Sequence, residues 1–114
     1  MNELRKITVG IDPSKSVAIY KPALAGLLPG CDGEEARLRC GVLYLRDRAA
    51  RARPIAATAT AGVLLDAIND IAGHYALAPL PLEELDTLHR ALVRVMLSAQ
   101  ALETRGPGRP IDAA

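Results

Sequence analysis

Between residues 81 and 102, "PLEELDTLHRALVRVMLSAQAL" places aliphatic side chains at Leu85, Leu88, Leu92, Val95, Ala99 and Leu102. The steps alternate between three and four residues, which draws a continuous stripe along one side of an α-helix. Two other segments repeat the pattern: Leu38, Val42, Leu45, Ala49 and Ala52 in one, Ala61, Leu64, Ile68, Ile71 and Tyr75 in the other. Helices of this kind, joined by loops of four to eight residues, bury their stripes against one another. The expected fold is therefore mainly α, an antiparallel three-helix bundle.

The ends of these helices are also marked. In "CDGEEARLRC", Asp32 stands at an N-cap position with Glu35 three residues on, an arrangement resembling a capping box. Pro54 disfavours helical geometry at Arg53 and should end the first helix there. The second is expected from Thr58 until "AGHYALAPLP" interrupts it. The third is expected from Pro81, with Glu83 and Glu84 at its positive end and "RGPGRP" beyond its last turn.

Twenty alanines, seventeen leucines, three tyrosines and no Phe or Trp make any core aliphatic. Alanine favours helix but buries little area, so such a core is thin. On the third helix Leu85, Leu92, Val93, Met96 and Leu97 cover a wide apolar arc. That breadth suggests a second copy packed on it, and a homo-oligomer is expected. The chain reads as one domain over residues 1–105 with a tail at 106–114.

The N-terminal region reads differently. In "KITVGIDPSKSVAIYKP", Ile7, Val9 and Ile11 alternate with Lys6, Thr8 and Gly10, and Val17 and Ile19 alternate again after a turn-forming Asp-Pro-Ser. This suggests a short β-hairpin or ribbon over about residues 5–20, closed by Pro22. The rival is a strand followed by a short helix from Pro13.

Charge is nearly balanced at +1 but unevenly placed. Residues 1–54 carry ten Lys/Arg against six acids, and residues 55–114 carry four against seven. The densest basic stretch is "RDRAARARP" at 46–54. On a helix, Arg39, Arg46 and Arg53 form one row at seven-residue steps, and Arg37, Arg48 and Arg51 lie on the opposite flank beside Tyr44. Such rows usually border the buried stripe of a half-buried helix. As functional candidates, Arg39, Arg46, Arg48, Arg51, Arg53 and Tyr44 would contact an acidic protein partner.

Three short stretches resemble nucleic-acid-binding families. "GIDPS" is similar to the opening strand of RuvC-type nucleases, which implies Asp12 as a metal-binding carboxylate. The remaining chain reads as helix and supplies no further strands for that site. "ITVGIDP" also resembles the strand–Pro–helix opening of ribbon–helix–helix repressors, which implies a dimeric regulator reading DNA through Lys6 and Thr8. Gly10 offers no side chain there, and Pro22 falls where the first helix should run. In that reading Arg48 and Arg51 would hold phosphates. The tail's Gly-Arg-Pro resembles the core of an AT-hook, without the second arginine.

Catalysis is not expected. There is no nucleophile elbow, phosphate-cradling glycine loop or Cys/His metal box. Asp66, Asp70 and His74 stand four apart, with His89 on the next helix, and this reads as an exposed polar face, so neither metal nor cofactor is implied. Cys31 and Cys40 lack Cys-x-x-Cys spacing and suggest reduced thiols. No secretory signal or membrane-spanning run is evident, and a cytoplasmic protein is expected. The leading expectation is a small non-enzymatic helical regulator, adaptor or inhibitor that works through protein–protein contacts.

Overall fold

The computed structural model describes residues 13–105, which form four α-helices and one 3₁₀ turn, with no strand among them. They are α1 (Pro13–Leu27), α2 (Gly33–Ala52), the 3₁₀ turn Arg53–Ile55, α3 (Ala59–Tyr75) and α4 (Leu82–Arg105). No described helix is long and apolar enough to cross a membrane.

Cross-helix contacts give the directions. Tyr20 of α1 reaches Asp47 near the end of α2, so those two helices are antiparallel. Arg39 reaches Ala76 just past the end of α3, while Arg53 reaches Asp66 nearer its start. The backbone N–H of Ala57, before α3, meets Glu103 near the end of α4. The chain therefore runs up, down, up and down. Helix α2 is central, packing against α1, α3 and α4, and α3 also packs on α4. Its position explains its burial on nearly every side: Ala36, Leu38, Arg39, Cys40, Gly41, Val42, Leu43, Leu45 and Ala49 are all buried.

The expected hairpin is corrected over its second half. Val17 and Ile19 lie inside α1, and Pro22 lies within that helix rather than ending a strand. Val17, Tyr20, Leu24 and Leu28 lie on the core-facing side of this segment, at steps of three and four that suit a helix as well as Val17 and Ile19 suit a strand. Pro22 has no N–H to donate to the carbonyl of Ala18. Both residues are exposed, so water can take the place of that donor. The hairpin's first half, residues 5–12, lies outside the described residues, as does the tail at 106–114. Among the described residues the bundle accordingly has four helices where three were expected. Gly30, at φ +89, turns the chain between α1 and α2 in a region L side chains rarely adopt.

The stripes on α2 and α4 are buried as expected, and that on α3 is rotated. Ala61, Leu65, Ile68 and Ala72 face the core, whereas Ile71 and Tyr75 are exposed at 40 % each. The small Ala61 and Ala72 on the inner side let α3 approach its neighbours, and Ile71 and Tyr75 are left outside. Thr58 caps α3 by accepting a hydrogen bond from the Ala61 N–H at 3.0 Å. Asp32 occupies the N-cap of α2 in extended conformation but makes no side-chain cap bond. Glu35, its expected partner, accepts from Arg39 instead, at 2.9 Å.

Candidate functional site

The arginines of α2 separate into two groups. The first row, Arg39, Arg46 and Arg53, lies along the seam between α2 and α3. Arg39 is 2 % exposed, and its Nη1 donates to the carbonyl oxygen of Ala76 at 2.7 Å. A guanidinium at that point meets an otherwise open carbonyl at the negative end of α3. Arg46 donates from Nε to Asp47 at 3.0 Å and lies beside Gly73. Arg53 covers Gly62 and pairs with Asp66 at 3.0 Å. Arg39 and Arg53 thus reach across to α3 and its end, Arg46 pairs with its own neighbour, and as partner-binding candidates Arg39 and Arg46 are already engaged within the chain. Tyr44 is likewise occupied, half-buried and edge-on to Tyr20 with ring centroids 6.3 Å apart. The Tyr20 hydroxyl donates to Asp47 Oδ2 at 2.6 Å, and burial together with that carboxylate pushes the phenol up to about 12.

The opposite flank is different. Arg37 is exposed and bonded to Glu34. Among the described residues no hydrogen bond or ion pair of Arg48 or Arg51 is found, although the charge of Arg51 acts on the Tyr20 phenol. The Nε of Arg48 is shielded from solvent as well, an orphaned donor. Both side chains border a cleft of about 210 Å³ where the end of α2 and the 3₁₀ turn face α3 and α4. Ala52, Leu65, Met96 and Ala99 form its apolar floor, with Ile55, Gln100 and Glu103 at the rim. Ile55 is 78 % exposed. Glu103 is already bound, accepting from the Ala57 N–H at 2.6 Å.

The wide apolar arc of α4 is filled from within. Leu85, Leu92 and Met96 are buried in the chain's own core, while Val93 and Leu97 are half-buried against it. Self-association through Leu85, Leu92 and Met96 is thereby corrected, because α2 and α3 already cover them. Lys6, Thr8 and Asp12, on which the DNA-binding and nuclease resemblances rest, lie outside the described residues. The acidic face of α3 does not converge with His89. Asp66 is held by Arg53, His74 stacks edge-on against Tyr75, and His89 faces α2. Among the described residues, no three His, Cys, Asp or Glu side chains are grouped to hold a metal. Cys31 and Cys40 are free and buried, and burial pushes both thiols up.

Sequence reasoning did not find the contact between Gly41 and His89. A Cβ built on Gly41 would stand 2.6 Å from His89 Nε2 and 2.8 Å from its Cδ2, so that edge of the imidazole is packed against the glycine. A glycine in mid-helix costs about 1 kcal/mol relative to alanine and was the available signal. His89 Nε2 is buried without a partner among the described residues. Desolvation pulls its pKa below the ordinary value, Asp86 opposes this, and Arg37 adds to it. A depressed histidine pKa means that protons bind the unfolded chain more tightly. Stability should be complete above the unfolded value of about 6.5 and fall as acid carries the pH down through the folded value. Urea titrations at successive pH values should show this loss, and the His89→Leu variant should lack that component.

No protein-family model, curated protein or solved structure matches the chain.

Proposed function

We propose that this is a non-enzymatic helical protein acting through protein–protein contacts, as a regulator, adaptor or inhibitor, with Arg48 and Arg51 as its principal contact residues. The observation that carries the reading is the division among the arginines. The row facing α3 is bonded within the fold, whereas Arg48 and Arg51, which line the same cleft as the exposed Ile55, have no hydrogen bond or ion pair among the described residues. A cation pair next to an apolar side chain suits an acidic partner surface, and arginine is enriched in such interfaces. Self-association belongs to the same reading. It would use the exposed Val63 and Ile71 of α3 or Ile19 and Leu27 of α1, because the arc of α4 is filled.

The test compares wild type with Arg48→Gln/Arg51→Gln. The double variant should keep its melting temperature within a few degrees, since neither side chain is hydrogen-bonded or ion-paired among the described residues. A protein retained from the native cell by immobilised wild type should be lost from the variant. Wild-type binding to duplex DNA that weakens with salt, with a slope that flattens by about one for each arginine removed, would replace this reading with the DNA-binding one.

A further inference from the structure

The cleft beneath Arg48 and Arg51 has the features of a small-molecule site. Buried donors without an acceptor are uncommon in folded proteins, and each calls for an explanation such as a water or a bound ion. Here the Arg48 Nε is shielded without an acceptor among the described residues, and Arg48 and Arg51 both line a cleft with an aliphatic floor, to which a ligand would have access through their guanidinium ends. Guanidinium groups bind carboxylates through paired, charge-assisted hydrogen bonds. The floor of Ala52, Leu65, Met96 and Ala99 offers nothing to a polar body. Glu103 borders the same cleft, and its carboxylate would repel an anion brought close to it. Its bond to the Ala57 N–H holds it at the α3–α4 side, while the arginines stand on α2. A ligand's charge therefore belongs at the α2 side of the mouth, and its body over the floor.

We infer that the cleft binds a monocarboxylate carrying an apolar body of about six to eight carbons. The size follows from the volume: an apolar cavity of about 150 Å³ accommodates benzene, and this cleft offers about 210 Å³. The inference concerns the same arginine pair as the proposed protein contact but does not depend on it, because a small carboxylate needs no partner protein.

Octanoate is the probe, titrated calorimetrically into the full chain below its micellar concentration. Saturable binding at one site is expected, with acetate and octan-1-ol each at least tenfold weaker, since one lacks the body and the other the charge. Arg48→Gln/Arg51→Gln should weaken octanoate by about tenfold or more and leave octanol unchanged. Ala52→Leu, which keeps both arginines and fills the floor, should abolish octanoate binding while the helical circular dichroism is preserved. Arg90→Gln, on the exposed side of α4, should change nothing. Absence of saturable octanoate binding to wild type, or equal binding by the double arginine variant, overturns the inference. So does binding of a Leu-Glu peptide without octanoate, which would assign the cleft to a protein segment. Retention of a protein partner by a chain that does not bind octanoate would overturn this inference and leave the proposed function standing.

Discussion

Arg39→Ala should lower the melting temperature by about 10–25 °C, the largest effect expected of any arginine in this chain. Arg39 is 2 % exposed and bridges two helices through the Ala76 carbonyl. A hydrogen bond from a charged donor is worth about 1.5–3 kcal/mol, and the stranded carbonyl adds a desolvation penalty because Ala76 is itself buried. Losing the packed side-chain stem adds to this. Glu35 limits the damage: its side chain is 44 % exposed, so once released it is solvated at little cost. The total is about 2–4 kcal/mol, and each kcal/mol shifts a domain of this size by about 4–8 °C. Arg39→Lys should recover part of the loss, since an ammonium keeps the charge but not the two-directional reach to Glu35 and Ala76. Arg53→Ala is the internal comparison. Its ion pair with Asp66 is half-exposed on both sides, so it should cost less than about 1 kcal/mol. Equal melting temperatures for Arg39→Ala and Arg53→Ala, measured by circular dichroism, would remove the clamp between α2 and α3.

That contrast also shows what was legible in the chain. The seven-residue row of Arg39, Arg46 and Arg53 and the opposing flank of Arg48 and Arg51 follow from helical geometry alone. Which row meets α3 depends on the arrangement of α3 and α4 around α2, and no local pattern encodes that. Gly62 and Gly73 on α3 were the faint signal, since arginines 53 and 46 lie over them. Helices α2 and α4 were legible because their aliphatic stripes have long, regular spacing. The sequence around α1 suits either a hairpin or a helix from Pro13, because Val17 and Ile19 fit a period of two and Pro22 weighs against helix; the helix from Pro13 is the one that forms. Packing of Tyr20 and Leu24 against α2 overrode that local preference. On α3, hydrophobicity alone favoured Ile71 and Tyr75 for the core, but close helix approach selected Ala72 and Ala76. The wide arc on α4 was legible as buried, and Leu85, Leu92 and Met96 find their cover within the chain itself. The cleft has walls from three helices and a turn, so nothing short of the tertiary arrangement displays it.

Gly41→Ala should destabilise the protein by about 1–2 kcal/mol, although alanine is the better helix former. Helix propensity favours the substitution by about 1 kcal/mol. Against it stands a methyl group 2.6 Å from His89 Nε2, far inside van der Waals contact, with the imidazole only 8 % exposed between α2 and α4. The ring must leave its rotamer or the two helices must separate, and overpacking of this kind costs about 1–3 kcal/mol or somewhat more. Overpacking wins. Gly62→Ala serves as the contrast, because its new methyl meets only the Arg53 guanidinium at 3.0 Å, the end of a half-exposed side chain that can swing aside. That substitution should be neutral or stabilising. The decisive measurement is a double-mutant cycle by urea denaturation. His89→Ala alone removes a buried ring and leaves a void, while adding Gly41→Ala puts the methyl where the ring stood. The two changes should therefore couple, with the double variant about 1 kcal/mol or more better than the sum of the singles. Strict additivity would mean that the imidazole does not rest on Gly41, and the acid sensitivity assigned to His89 would then lose its structural basis.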